Sequence, residues 1–196
     1  VRQGHVESRP IKGTRPRLAD SQQDAGMRQE LTLSGKDRAE NLMIVDLMRN
    51  DLSRVCEPGS VKVPRLCEVE SFANVHHLVS DVTGQLRAEC DLVDLMQASF
   101  PPGSITGAPK VRAMQIIAEL EGEARGPYCG ALGWMTPAGE MDLNVMIRTA
   151  SLRHRGGRGQ AEIRSGGGIV SDSDPPAEYE ETLAKASALK SALGAA

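Results

Sequence analysis

Two segments of the 196-residue chain carry acidic residues three positions apart, Asp37 with Glu40 and Glu178 with Glu181. On a helix that spacing puts both carboxylates of a pair on one face. If the two faces met, they would offer hard oxygen ligands suited to Mg²⁺, which takes one or two carboxylates, keeps several waters and shares its sphere with an anionic substrate. Acidic pairs at this spacing also occur on most solvated helices, and Glu181 with Lys185 would make a surface pair of about 0.3–0.5 kcal/mol. The pattern leaves both readings open.

Residues 102–110, Pro-Gly-Ser-Ile-Thr-Gly-Ala-Pro-Lys, form a glycine-rich loop that feeds a helix. Free backbone N–H groups, the helix dipole and Lys110 would make a carboxylate or phosphate cradle, or the loop is a capped helix start without a ligand. The Gly-Lys-Ser/Thr order of a P-loop is missing. The triplet Gly166-Gly167-Gly168 follows a strand pattern and would let a ligand approach the backbone, or make a tight bend. His76 and His77 are adjacent in a strand pattern, so their rings point to opposite faces. Arg148 alternates with Leu143, Val145 and Ile147 on a long strand, where it would grip a carboxylate bidentately or face solvent. Lys12, in Pro10-Ile11-Lys12-Gly13-Thr14, becomes a nucleophile if burial or a neighbouring cation lowers its pKa; otherwise it is an exposed turn lysine.

The elements that must hold these residues follow from periodicity. Residues 1–27 read as a short extended segment and then a polar loop. A helix is predicted over 31–55, with Ser34 as a candidate N-cap and Met43, Ile44, Leu47, Met48 and Leu52 as its apolar stripe. Pro58-Gly59 ends it. Strands are predicted at Val61 and Val63 and across 72–86. A short helix at 91–100 is followed by a second, from near Pro109 to Gly122, with Val111, Met114, Ile117 and Leu120 on one face. Strand patterns at 128–135, 141–152 and 160–165 are joined by hairpin-length turns, and a last helix spans 176–193. Strand groups interrupted by helices favour an α+β antiparallel architecture.

Composition sets the boundaries. Apolar residues make up 40% of the chain and aromatics 3%, so the core must be built from Leu, Val, Ile, Met and Ala. With 23 Lys plus Arg against 26 Asp plus Glu and no basic run, the electrostatic footprint of a nucleic-acid binder is missing. No apolar stretch is long enough for a membrane span and no export signal is visible, so a cytoplasmic protein is expected. Cys56, Cys67, Cys90 and Cys129 lie far apart and read as free thiols.

Taken in order, the segments resemble the chorismate-utilising enzymes. The resemblance is carried by Pro10-Ile11-Lys12-Gly13-Thr14 with Arg17, by the run at 36–51, by Val75-His76-His77-Leu78-Val79-Ser80, by 103–110, by Ile147-Arg148-Thr149, by 166–170 and by Glu178-Tyr179-Glu180-Glu181-Thr182. It implies a fold of two orthogonally packed antiparallel sheets flanked by helices, only partly present here. Residues 1–196 would then be the C-terminal portion of a chorismate-binding catalytic domain whose N-terminal part is absent, and the isolated piece would be inactive and poorly stable. It further implies that Glu40 and Glu181 hold Mg²⁺ with Asp37 and Glu178 close by. Thr106, Tyr128, Arg148, Gly166, Gly168 and Lys185 would bind the substrate, and His77 would lie beside its ring.

Lys12 points to the para-directing, aminodeoxychorismate-forming branch; the ortho-directing enzymes, anthranilate synthases, usually carry Ala there. The implied reaction is attack of Lys12 on C2 of chorismate with loss of the C4 hydroxyl, then addition of ammonia at C4. A separate glutamine amidotransferase would supply the ammonia, toward p-aminobenzoate and folate. The alternatives are an anthranilate synthase and a non-catalytic truncated module.

Overall fold

The computed structural model describes residues 1–171 and 173–194, the side chains of residues 155 and 158 excepted. Contacts divide the chain into two compact units, one of residues 1–113 with 135–142 and one of 114–134 with 143–196. The architecture is α+β, with antiparallel pairing in a four-stranded sheet and in the hairpin spanning residues 149–164.

The first unit is built on a four-stranded sheet around β4 (Val75–Gln85). On one side β4 pairs with β1 (His5–Ser8) and β2 (Ile11–Pro16); on the other it pairs with β3 (Lys62–Ser71). Leu78, Val79, Ser80, Asp81 and Val82 are buried in succession, the signature of a strand covered on both faces. Helices α1 (Ser21–Leu33) and α2 (Gly35–Ser53) pack on the sheet. Leu31, Leu78 and Cys67 form a core beneath them; burying each leucine contributes roughly 1.5–3 kcal/mol.

Two predicted boundaries change here. Residues 18–27 are not all loop, because Asp20 caps α1 by accepting from the Gln22 and Gln23 N–H groups. The helix predicted over 31–55 is broken at Ser34, which caps α2 by accepting from the Asp37 N–H. Within the strand predicted over 72–86, residues 72–74 are the turn that joins β3 to β4. Helix α3 (Leu92–Ser99) opens on a reciprocal capping box between Asp91 and Asp94. A short 3₁₀ turn (Gly103–Ile105) then leads to α4 (Lys110–Glu121). The predicted apolar face of α4 is not a core face within this chain, since none of its residues is buried and Val111 and Leu120 are strongly exposed.

The second unit contains most of the hairpin β5 (Ala131–Met135) and β6 (Met141–Val145), whose tip belongs to the first unit. It also contains the hairpin β7 (Thr149–Arg155) and β8 (Arg158–Arg164), and helix α5 (Pro175–Ala192). Gly156 and Gly157 both have positive φ, 59° and 79°, as a two-residue turn matched to strand twist requires. The strand predicted over 141–152 is interrupted at residues 146–148. Arg148 sits in the bend with φ 49° instead of alternating along a strand, so a left-handed backbone aims it. Asp174 caps α5 through the Ala177 N–H. All four cysteines are free, as their spacing predicts.

Candidate active site

The candidate residues fall into two sets, one on each unit. In the first, β2 and α2 do the positioning. Lys12 stands opposite Leu78 on β4, and its Nζ lies 3.6 Å from Glu40 Oε2. Directly after Lys12 the register shifts by one residue at Gly13, whose φ is 75°. A Cβ there would meet Asp37 Cγ at 2.8 Å and Leu31 Cδ1 at 2.7 Å, so only glycine lets β2 approach α2 this closely. The extra residue resets the alternation, so Arg15 follows Lys12 onto the helix-covered face. Its Nη2 reaches Asp37 Oδ2 at 3.3 Å and its Nε reaches Glu30 at 2.8 Å. Asp37 and Glu40, one turn apart on α2, are therefore each faced by a cation from β2. The acidic spacing is legible in sequence; the role of Arg15 is hidden by the bulge.

His76 and His77 separate as alternation requires. His76, 2% exposed, is tied into α1: its Nε2 lies 3.0 Å from Asp24 Oδ1 and its Nδ1 lies 2.8 Å from Ser71 Oγ. The carboxylate can only accept, so Nε2–H donates to Asp24 and Nδ1 accepts from Ser71. Asp24 is held at about 2, first by the Leu18 N–H and then, against burial, by Arg17 and His76. His77 stands opposite Thr14, hydrogen-bonds its hydroxyl at 3.0 Å and packs edge-on against Phe72. Alternation along β4 turns it away from the face carrying Lys12, so the structure does not bring His77 into the Lys12 cluster.

The glycine-rich loop is pinned to α2. Gly103 packs so closely on Leu47 that a Cβ would lie 2.7 Å from Leu47 Cδ1. Lys110 Nζ pairs at 2.6 Å with Asp51 Oδ2, which is buried. That lysine is therefore occupied by the protein instead of standing free as an anion ligand. Thr106 is half-buried and donates to the Pro102 carbonyl at 3.1 Å.

In the second unit, the glycine triplet, Tyr128 and α5 come together. A Cβ on Gly166 would lie 2.8 Å from the Tyr128 hydroxyl. A Cβ on Gly167 would meet Glu178 Oε2 at 3.2 Å, Lys185 Nζ at 3.7 Å and Glu181 Oε1 at 3.9 Å. Glu178 and Glu181 of α5 thus converge on one stretch of bare backbone. Glu178 is buried and accepts from Ser173 Oγ at 2.6 Å; Glu181 pairs with Lys185 at 2.5 Å. Lys185 also reaches the Gly166 carbonyl at 3.5 Å. Arg125 lies over the Tyr128 ring at 5.8 Å and is gripped by both Glu121 oxygens. Burial, with Cys129 beside it, pushes the Tyr128 hydroxyl up to about 12, so it is a hydrogen-bond donor throughout the neutral range. Gly168 and Arg148 are exposed. Arg125 and Ser173 escape sequence reading because neither lies in a recognisable motif.

Among the described residues no group of three or more His, Cys, Asp or Glu forms a metal cluster. Two carboxylates on each unit are nevertheless the donor chemistry Mg²⁺ takes, since it fills the rest of its sphere with water and substrate oxygen.

The chain matches the model of the chorismate binding enzyme family over residues 1–191. It is 57% identical to aminodeoxychorismate synthase component 1 of Klebsiella aerogenes over 94% of its own length and 40% of that protein's. It is 47% identical to anthranilate synthase component 1 of Aquifex aeolicus, over 98% of this chain and 38% of that one. The crystal structure of anthranilate synthase component I from Streptococcus pneumoniae superposes with a TM-score of 0.76 at 39% identity, covering 95% of this chain and 40% of that chain. The chain spans about two fifths of these relatives, and it carries the paired acidic helices, the lysine strand and the glycine triplet. It belongs to the chorismate binding enzymes.

Proposed function

We propose that this chain is the C-terminal portion of an aminodeoxychorismate synthase component 1, which aminates chorismate at C4 with ammonia from a glutamine amidotransferase component. The observation that carries this reading is the placement of Lys12: half-buried and fixed between a β-bulge and α2. The relatives named aminodeoxychorismate synthase, such as the Klebsiella protein, support it further. Among the described residues no helix is long and apolar enough to cross a membrane, and the four free thiols suit a cytoplasmic setting.

In the proposed reaction the deprotonated Lys12 amine bonds to C2 of chorismate, both conjugated ring double bonds shift, from C1=C2 and C5=C6 to C1=C6 and C4=C5, and the C4 hydroxyl leaves with a proton as water. Ammonia then bonds to C4 and loses a proton, both double bonds shift back, and the Lys12 nitrogen departs from C2. The product is 4-amino-4-deoxychorismate. Glu40 and Glu181, with Asp37 and Glu178, would hold Mg²⁺, which when bound orients the ring carboxylate and neutralises its charge. Tyr128 donates a hydrogen bond to a substrate carboxylate, and Arg148, exposed in its left-handed bend, offers the bidentate grip. Lys185 and the bare backbone at Gly166 and Gly168 complete the anion site.

Lys12→Ala in the complete protein tests the reading. With ammonium, Mg²⁺ and chorismate, para amination is expected to fall to a small residual rate while chorismate affinity stays within a few-fold. Unchanged formation of 4-amino-4-deoxychorismate would remove Lys12 as the nucleophile. The 47% identity to an anthranilate synthase keeps ortho amination as the second reading, and a fluorescent ortho-amino product would select it.

A further inference from the structure

Lys12 is placed by a carbonyl two residues before it. Pro10 lies in the break between β1 and β2 and has no N–H of its own, and its C=O is bound twice. It accepts from the Ser80 N–H at 3.1 Å and from Asn41 Nδ2 at 3.4 Å. Asn41, fully buried on α2 next to Glu40, also donates to the Leu78 carbonyl at 3.3 Å. Leu78 is the residue paired with Lys12. On its other side, Asn41 Oδ1 accepts from Ser80 Oγ at 2.5 Å and from Cys67 Sγ at 3.6 Å. The Ser80 hydroxyl in turn accepts from the Cys67 N–H at 2.8 Å.

One side-chain amide thus ties together the helix bearing Glu40, the strand bearing Lys12 and the strand opposite it. A buried primary amide is costly unless satisfied, and this one has both donor and acceptor engaged. An apolar residue would fill the same space without fixing where β2 sits along α2. We propose that Asn41, seconded by Ser80, is the positioning residue that sets the reach of Lys12 relative to Glu40. It touches no reacting atom and acts through Lys12.

The inference rests on Lys12 being the nucleophile, and a double-mutant cycle in the complete protein separates the two claims. Asn41→Asp keeps the shape and the acceptor but sets a carboxylate oxygen against two carbonyls. It is expected to lower kcat for para amination by about ten- to a hundredfold, as misplacement of a reacting group does, with KM for chorismate moving less than about threefold. In a Lys12→Ala background the same change should have no further effect on residual turnover, because the pair acts as a unit. Ser80→Ala, which spares the amide's bonds to Pro10 and Leu78, should show the same kcat-only pattern at a smaller size, and it decides the matter if Asn41→Asp fails to fold. Multiplicative losses from the two sites, or a KM rise matching the kcat fall, would overturn the proposal. Full activity of Lys12→Ala alone would instead overturn the nucleophile reading.

Discussion

The two units hold their candidate residues by different means. In the first, Lys12, Asp37 and Glu40 stand on elements locked to a core of fully buried side chains, among them Leu31, Leu78, Val82 and Asn41. In the second, the buried side chains among the described residues are Cys129, Glu178 and Ala186, while Leu120, Leu132, Trp134, Leu152 and Ile169 lie on the surface. Its site residues are held locally, by hairpin pairing, by the pair from Glu181 to Lys185 one helical turn on, and by bare glycine backbone. The residues around Lys12 are held through tertiary packing and those around α5 through short-range contacts. Substitutions should therefore cost very different amounts in the two units.

The largest difference is expected from leucines. Leu78→Ala should destabilise this chain by about 2–5 kcal/mol, whereas Leu120→Ala, on an exposed face, should stay within about 0.5 kcal/mol in denaturant unfolding. Comparable losses at both sites would erase the contrast. Next come the two lysine pairs. Lys110→Met leaves Asp51 buried without its cation and should cost about 3 kcal/mol.

Acid and alkali should separate the units as well. Asp24 in the first unit titrates in the folded state at about 2, below its ordinary 3.8. Its contribution is therefore complete above pH 4 and is lost as pH falls toward 2. Burial of Asp81 and Glu70 is outweighed by Arg65 and Arg9, which lower both carboxyls, so they add to the same acid loss. In the second unit the Tyr128 hydroxyl is raised from 10 to about 12, so stability falls as pH rises through that interval. Circular dichroism against pH, repeated with Asp24→Asn and Tyr128→Phe, should flatten the acid and alkaline arms respectively. The smallest effect belongs to Lys185→Met, about 0.3–0.5 kcal/mol, because its partner Glu181 is half in solvent.

What the sequence shows depends on whether the signal is local. Ser34 as a cap, the free cysteines, the acidic spacings and the final helix are local and were legible. Helix α1 was not. Its sequence is mostly polar, and it is fixed by the Asp20 cap and by Asp24 reaching Arg17 and His76, contacts up to 52 residues apart. The exposed face of α4 has the periodicity of a core helix, and periodicity cannot say what covers it. Arg148 looked like a strand residue because the apolar alternation continues through a bend that only the backbone reveals. The family motifs picked out candidate residues on both units. They did not show Arg15 or Arg125, and they contain Asn41 without revealing what its side chain ties together.

The direct test of Lys12 is to catch it bonded to substrate. The complete protein, given Mg²⁺ and chorismate without ammonia, is quenched, digested and analysed by mass spectrometry. The expected result is a peptide containing Lys12 that carries the mass of chorismate less one water and loses it when ammonium is added before the quench. An unmodified Lys12 peptide, in a protein that still forms 4-amino-4-deoxychorismate when ammonium is supplied, would contradict the account.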